Sequence, residues 1–401
     1  MMSNLPVGWK KTEVRENIKF SGGAQPPRSV FSFEPQEGYI RLIQIRDYKT
    51  DKFATYIPKG LAKKLCDEDD IMIGRYGPPI FQILRGINGA YNVALIKAIP
   101  QKHLHKEYMY YFLKKESLLK FIESFSQRTS GQTGIEMDML NTYPMPLPPL
   151  PEQIKIASIL STWDNAINTV QKLLANSQQQ KKVLMQQLLT GKKRFAGFGS
   201  GWKRVLLGEI ADLTAGGTPS TNMPEYWQGD ILWMSSGEVN QKYIYSVEGR
   251  VSELGLKNSS TKIIPINSVL IALAGQGKTR GTVAINRIEL CTNQSIAAVI
   301  LNQDIAYPDF VFFNLDSRYF ELRAMSGGDG GRGGLNLSIL KSILIKLPSL
   351  PEQQKIATIL TTADQEIDNL RAQLNHLKQE KKALMQQLLT GKRRVKVEEA
   401  A

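Results

Sequence analysis

The chain has 401 residues, 42% of them hydrophobic, and 51 Lys and Arg against 37 Asp and Glu give it a formal net charge of +14. That length allows two or three domains with sizeable cores, and the charge points to an anionic partner, most often nucleic acid. No apolar run reaches membrane-spanning length and no signal-like segment opens the chain, so neither a membrane protein nor a secreted one is expected. Cys66 and Cys291 lie far apart and read as unpaired thiols of a cytoplasmic protein, and with only three histidines (His103, His105, His376) a zinc site is not expected.

Residues 1–146 read as a first globular segment. Apolar or alternating runs predict strands at 39–45, 71–75, 81–84 and 91–98, separated by turn signals at Gly74, Gly77-Pro78-Pro79 and Asn88-Gly89. A helix is predicted over 105–125; its Tyr108, Tyr111, Phe112, Leu118, Phe121 and Ile122 recur at helical spacing and read as core rather than as a stacking platform. Gly77-Pro78-Pro79-Ile80-Phe81 resembles the Pro-Pro-aromatic loop of amino-methyltransferases. It lacks the preceding Asn, Asp or Ser that would hold a target amine, so methyl transfer by this chain is not expected. By loop position alone, Arg75, Tyr76 and Arg85 are the candidates for contact with nucleic acid.

Residues 147–191 are organised around a stretch that returns 200 residues later, at 347–392. The first copy opens Leu147-Pro148-Pro149-Leu150-Pro151-Glu152-Gln153 and closes Leu184-Met185-Gln186-Gln187-Leu188-Leu189-Thr190-Gly191-Lys192. The second opens Leu347-Pro348-Ser349-Leu350-Pro351-Glu352-Gln353 and closes Leu384-Met385-Gln386-Gln387-Leu388-Leu389-Thr390-Gly391-Lys392. No gap is needed between the copies, which marks an internal duplication. Proline suits a helix start, the glutamates favour the positive end of the dipole, and Gly191 and Gly391 suit C-terminal caps. Between these marks a heptad seam runs through Ile156, Leu160, Trp163, Ile167, Val170, Leu174, Leu184 and Leu188. In the second copy it runs through Ile356, Leu360, Ile367, Leu370, Leu374, Leu377, Leu384 and Leu388. That pattern predicts a coiled coil. Lys181 and Lys381 intrude at the same seam position. Two readings fit them: long stems that snorkel past the seam, or a device that fixes register.

Each helix would run about 55–60 Å at about 1.5 Å per residue, whereas the connection 192–201 spans at most about 35 Å. The second globular segment, 192–346, therefore starts near the end of the first helix, and the second helix is expected to run back antiparallel to the first. The second segment repeats the plan of the first. Gly201-Trp202-Lys203 echoes Gly8-Trp9-Lys10, and Gly216-Gly217 echoes Gly22-Gly23. Strands are expected at 231–235, 268–274 and 282–286, and an aromatic helix at 308–324. Ala272-Leu273-Ala274-Gly275-Gln276-Gly277-Lys278-Thr279 fits a loose phosphate-loop pattern after a strand. The next residues, Arg280-Gly281-Thr282-Val283-Ala284-Ile285, read as another strand and not as a helix, so nucleotide hydrolysis is not expected. The better reading is a basic hairpin loop whose Gln276, Lys278, Thr279 and Arg280 offer donors to phosphates or base edges. Ser235 and Ser236, and Arg332 within a glycine cluster, are the further candidates. Residues 393–401 form a basic-then-acidic tail.

The repeated Leu-Pro-Glu-Gln entry, Lys-Ile-Ala-x-Ile-Leu and the closing Leu-Met-Gln-Gln-Leu-Leu-Thr-Gly-Lys, set between two divergent halves, resemble the specificity (S) subunit of type I restriction-modification systems. Gly216-Gly217-Thr218-Pro219-Ser220, Pro224-Glu225-Tyr226-Trp227, Gly275–Gly281 and Asn293-Gln294-Ser295 add to the resemblance, which covers essentially the whole length. It implies an α+β fold: two globular target-recognition domains at opposite ends of an antiparallel two-helix coiled coil, with a pseudo-two-fold internal repeat. It also implies that each globular half reads one half of a split double-stranded DNA site. The helices would dock two methyltransferase (M) subunits, which use S-adenosylmethionine to methylate adenine at N6, and ATP- and Mg-dependent restriction (R) subunits would join them. The chain itself would carry no cofactor and no catalytic residue. Trp163, Ala166 and Asn176 stand where the second helix has Ala363, Glu366 and His376, so the two docking surfaces need not be equal.

Overall fold

A computed structural model describes residues 5–126, 128–129, 132–275, 277–325 and 334–397. The chain divides into two compact units: Met1–Gln171 with Ala372–Ala401, and Lys172–Arg371. Each unit thus holds one globular head and stretches of both long helices, Leu150–Leu188 and Leu350–Leu388. Among the described residues no helix is long and apolar enough to cross a membrane.

The first unit mixes helices with mostly antiparallel strands. Lys10–Glu13 pairs antiparallel with Pro144–Leu147, bringing the start of the head to the entry of the first long helix. One four-stranded sheet has the order Ile18–Gly22, Leu95–Pro100, Ile71–Gly74, Gln82–Leu84. A second has the order Tyr56–Pro58, Tyr39–Ile43, Gly89–Tyr91, Leu65–Cys66. The strand expected over 91–98 is two strands, one in each sheet. The break is chemical: Asn92 Oδ1 accepts from Ala94 N at 3.1 Å and Asn92 O from Leu95 N at 3.0 Å, a turn built by an Asn side chain. Phe81, expected to open a strand, instead has φ of 56° and is buried, and the strand begins at Gln82.

The helix expected over 105–125 is likewise two, Lys106–Leu113 and Glu116–Phe125, because Lys115 turns to extended backbone between them. Tyr108, Tyr111, Phe112, Leu118 and Ile122 are all buried, as a core reading requires. They pack in one cluster with Ile156, Ala157 and Leu160 of the first long helix and Leu388 and Leu389 of the second.

The second unit repeats this plan with other side chains. Lys203–Leu206 pairs antiparallel with Leu344–Leu347. A five-stranded sheet has the order Ala211–Ala215, Ile296–Leu301, Val269–Ala272, Val283–Asn286, Tyr243–Ile244. A four-stranded sheet has the order Arg250–Val251, Trp227–Met234, Leu290–Thr292, Ile263–Ile264. The aromatic helix expected over 308–324 is again two, Pro308–Asp316 and Tyr319–Ala324. Here Leu188 and Leu189 end the first long helix against Ile356, Ala357 and Leu360 of the second, all within the core of this unit.

Within each unit the two helices run antiparallel. In the first, Glu152 and Asp164 meet Arg394 and Lys381. In the second, Glu352 and Asp364 meet Arg194 and Lys181. Ile156, Leu160, Ile167, Val170, Leu188, Ile356, Leu360, Ile367, Leu374 and Leu388 are buried, and Trp163, Leu174, Leu184, Leu370, Leu377 and Leu384 half-buried. Both helices end at left-handed glycines, Gly191 at φ 72° and Gly391 at φ 74°, which only a residue without Cβ adopts at little cost.

Candidate nucleic-acid interface

Each head carries a hairpin whose tip holds most of the expected contact residues. In the second unit Val269–Ala272 pairs antiparallel with Val283–Asn286, and the described residues 273–275 and 277–282 belong to the tip. The segment after the basic run is therefore a strand, and no helix N-terminus stands where a phosphate loop requires one. Gly275, Gly277 and Gly281 have φ of 140°, 62° and 79°, and a Cβ on Gly275 would lie 2.8 Å from that of Thr279. The tip is braced from behind by the helix Tyr319–Ala324. Tyr319 Oη donates to Lys278 O at 2.9 Å, and Arg323 Nη1 donates to Gly277 O at 2.7 Å. With its backbone held, Lys278 is exposed, while Thr279 and Arg280 are half-buried. Gln276 and Arg332 lie outside the described residues.

In the first unit Ile71–Gly74 pairs antiparallel with Gln82–Leu84, and residues 75–81 form the corresponding tip. Arg75 and Tyr76 are brought together there, the guanidinium carbon 5.2 Å from the ring centroid, and both are half-buried. The segment ahead of the long helix lies against this tip: Tyr76 bridges to Gly134, and Ile135 N donates to Arg75 O at 3.2 Å. In the second unit Gly334 sits at the same place, its ideal Cβ 3.6 Å from Leu273 O.

Arg85 is not brought to the tip. It follows the far end of Gln82–Leu84, donates to both carboxylate oxygens of Glu107 at 2.9 and 2.8 Å, and stacks 3.9 Å above the Tyr110 ring. These bonds make it a brace between sheet and helix. Ser235 is also accounted for locally. Its N and Oγ donate to Glu238 at 2.8 and 2.9 Å, a cap for the turn Ser236–Gln241 in which Ser236 is the first, half-buried residue.

Gly216-Gly217-Thr218 and Asn293-Gln294-Ser295 prove to be two sides of one junction. Gly217 N donates to Thr292 O at 2.8 Å, and a Cβ on Gly216 would fall 2.1 Å from that same oxygen. Thr218 Oγ1 donates to Gln294 Oε1 at 2.5 Å. Gly23 does the same in the first unit, where a Cβ would lie 1.9 Å from Asn92 O. The glycines are there because two backbones meet too closely for any side chain.

The entry motif of the helices has a function that periodicity did not reveal. Gln153, 1% exposed, donates through Nε2 to His103 O at 3.0 Å and Pro148 O at 2.9 Å, and accepts from His105 N at 2.7 Å. Gln353, fully buried, donates to Ile305 O and Pro348 O and accepts from Tyr307 N at the same three distances. Glu152 accepts from Trp9 Nε1 at 3.1 Å and pairs with Arg394; Glu352 pairs with Arg194, whose Nη2 donates at 2.8 Å. The glutamates therefore do more than face the helix dipole: each joins the start of one helix to the residues just past the end of the other. Burial pushes the Cys66 and Cys291 thiols up to about 11, and both are free and buried, the state of inert structural cysteines. Among the described residues no group of three or more His, Cys, Asp or Glu is placed to hold a metal ion.

The family model described as the type I restriction modification DNA specificity domain matches residues 6–176 and again 199–379. The chain is similar to the type I restriction enzyme MjaVIII specificity subunit of Methanocaldococcus jannaschii, 27% identical over 98% of this chain and 94% of that protein. It is also similar to the EcoR124I/EcoR124II specificity subunit of Escherichia coli, 28% identical over 64% of this chain and 63% of that one. The crystal structure of a type I restriction-modification S subunit from M. genitalium superposes with a TM-score of 0.64 at 16% identity, covering 96% of this chain and 97% of that one. At such identity the likeness is one of fold.

Proposed function

The chain belongs to the type I restriction-modification DNA specificity family, and from that premise we propose that it is the subunit that chooses the DNA sequence, reading a split double-stranded site with one head per half-site. The recognition domains are residues 1–146 and 192–346; the spacer helices are 147–191 and 347–392, with the tail 393–401 after them. The helices dock two methyltransferase subunits, which bring S-adenosylmethionine, and restriction subunits bring ATP and Mg. The chain supplies recognition and assembly and no catalytic group of its own, and it works in the cytoplasm, where the DNA is.

One observation carries this reading. Two units with matching attachments present, at the same point of the sheet, hairpin tips of unrelated sequence: Arg75–Phe81 in one, the glycine-rich basic run 273–282 in the other. A constant mount with a variable tip is what reading two different half-sites requires. Within the tips, Lys278 is the candidate for a phosphate contact and Arg280, Thr279 and Gln276 for base edges; Arg75 and Tyr76 are the first head's counterparts. Arg85 and Ser235, already bound to Glu107 and Glu238, and the neighbouring Ser236 are the further candidates for DNA contact.

The test is an exchange of residues 1–146 for a head of different sequence in cells that also make the methyltransferase partner. Methylome sequencing should show one half of the site changed and the other kept. A change in both halves, or in neither, would overturn the modular reading.

A further inference from the structure

The lysines that interrupt the seam are not solvated. Lys181 and Lys381 are 7% and 9% exposed. Lys181, on the first helix, forms an ion pair with Asp364 on the second; Lys381, on the second, forms one with Asp164 on the first. Each carboxylate also accepts from a phenol of the head in its own unit: Tyr243 Oη to Asp364 at 3.0 Å, and Tyr111 Oη to Asp164 at 2.9 Å. Each ammonium faces a head aromatic ring, Phe313 at 5.2 Å and Tyr111 at 5.1 Å. Three elements therefore meet at one carboxylate: both helices and the head.

The two nodes are not simple copies. In the first unit Tyr111, on the helix Lys106–Leu113, supplies both the hydroxyl and the ring. In the second those parts are split between Tyr243, on the strand Tyr243–Ile244, and Phe313, on the helix Pro308–Asp316. The helix residues stayed the same while the heads rebuilt the same contacts from different elements. A duplicated remnant without a role would not be expected to be rebuilt in this way.

We propose that Tyr111–Asp164–Lys381 and Tyr243–Asp364–Lys181 are positioning residues for recognition, each node fixing the register of the helix pair within its unit and the seating of the head on it. An apolar seam repeats every heptad, so leucines alone tolerate a slip. A slip of one turn, about 5–6 Å, puts Leu160 or Asn168 in the place of Asp164 and, in one direction, Leu360 in the place of Asp364; each leaves a buried ammonium uncompensated. In the other direction Asp368 would stand in for Asp364. The phenol extends that selectivity to the head: a carboxylate displaced along the helix no longer reaches Tyr243 or Tyr111. The aromatic face under each ammonium adds a further preference for that one position. The consequence for half-site reading rests on the function proposed above; the register itself does not.

The test uses the full chain with Cys66 and Cys291 replaced by alanine, assembled with its methyltransferase partner. Cysteine pairs report register in the second unit. Ser177→Cys with Glu366→Cys is in register, since the native side chains hydrogen-bond at 2.9 Å; Ser177→Cys with Thr362→Cys is one turn off, in the direction that sets Leu360 against Lys181. With the native node, only the in-register pair should cross-link efficiently. Lys181→Met with Asp364→Leu removes both charges together, so neither is left without its counter-charge, although the Tyr243 hydroxyl loses its acceptor. It should let the off-register pair cross-link to within threefold of the other, and should lower discrimination at the second half-site at least tenfold while the first half-site is unchanged. Reversing the pair, Lys181→Asp with Asp364→Lys, should restore both readouts at least in part. Tyr243→Phe removes one oxygen without disturbing packing and should lower second half-site discrimination about threefold with register intact. Wild-type cross-linking in the charge-free variant would overturn the register device. Unchanged discrimination in it or in Tyr243→Phe, measured where the wild type does discriminate, would overturn the seating of the head. If the wild type itself showed no sequence preference, the proposed function would fail while the cross-linking result stood.

Discussion

The first and second heads are held by nearly identical contacts and differ almost everywhere else. Gln153 and Gln353 each make three hydrogen bonds at 3.0, 2.9 and 2.7 Å, and every partner is a backbone group. A side chain that addresses backbone does not depend on which residues the head displays, so the head can change sequence without losing its mount. The tips show the opposite behaviour. One is a short turn through Gly77-Pro78-Pro79; the other is a longer glycine-rich loop braced by Tyr319 and Arg323. The difference teaches where the chain tolerates change: at side chains that meet other side chains or solvent, and not at those that satisfy buried backbone.

The largest effect should come from breaking the mount itself. Gln153→Leu leaves His105 N, His103 O and Pro148 O without these partners in a buried setting, and Gln353→Leu does the same to Tyr307 N, Ile305 O and Pro348 O. Each should cost about 3 kcal/mol of local stability, confined to its own unit. Hydrogen exchange resolved by segment checks this. Equal losses would sharpen the comparison; a loss in one unit only would show that the two mounts are not equivalent.

How far the sequence foretold this architecture depends on how local each signal is. The long helices were legible because a heptad seam and a terminal glycine are local, and the glycines do adopt the left-handed turn. The breaks within the aromatic helices and at Asn92 were missed: a one-residue turn hardly disturbs an apolar pattern, although Asn92 is itself a turn former. The ion pairs Glu152–Arg394 and Glu352–Arg194 join residues 242 and 158 positions apart, and no periodicity points to them. The Lys–Asp nodes did leave a trace. Asp164 and Asp364 repeat at the same offset as Lys181 and Lys381, and a repeated acid beside a seam interrupted by a repeated base is a pairing signal. The candidate contact residues were the least legible part. Loop position gathered residues in different settings: Arg75, Tyr76 and Lys278 lie at hairpin tips, whereas Arg85 and Ser235 are bound to Glu107 and Glu238.

The second effect in size concerns the tips. Arg280→Ala should cost about 1–3 kcal/mol and relax specificity in the second half-site only. Lys278 is exposed at the tip and carries a point charge on a flexible stem, so Lys278→Ala should weaken binding evenly across sequences and lower the salt slope by about one. Affinity against salt on cognate and scrambled DNA, with the methyltransferase subunits present, separates the two kinds of contact. If neither variant changed either quantity, the tip would not face DNA, and its likeness in place to 75–81 would be architectural.

The smallest effect distinguishes the heads by pH. At the break between the two short helices the first head has Lys115, and burial pushes its ammonium down to about 8 from an ordinary 10.5, the charge lying 5.2 Å over the Phe112 ring with no carboxylate among its described contacts. The corresponding break in the second head has Arg318, whose Nε donates to Glu321 at 2.7 Å. Below pH 8 Lys115 is protonated in both folded and unfolded chain, and the folded state bears the full cost of holding the charge out of water. Between 8 and 10.5 the unfolded chain binds more protons than the folded one, so the stability of the first unit should rise with pH across that window. Lys115→Met should therefore stabilise the first unit at pH 7 by about 1–2 kcal/mol and flatten its pH dependence between 8 and 10.5. Arg318→Met should do neither and should destabilise the second unit slightly, since it strips Glu321 of its partner. Hydrogen exchange in Glu116–Phe125 and Tyr319–Ala324 at pH 7, corrected for intrinsic rates, reads the first effect, and unfolding midpoints across the pH window read the second. A destabilised Lys115→Met variant with its pH dependence intact would mean that the Lys115 charge is solvated through its flexible stem, and that the two breaks differ in sequence but not in energy.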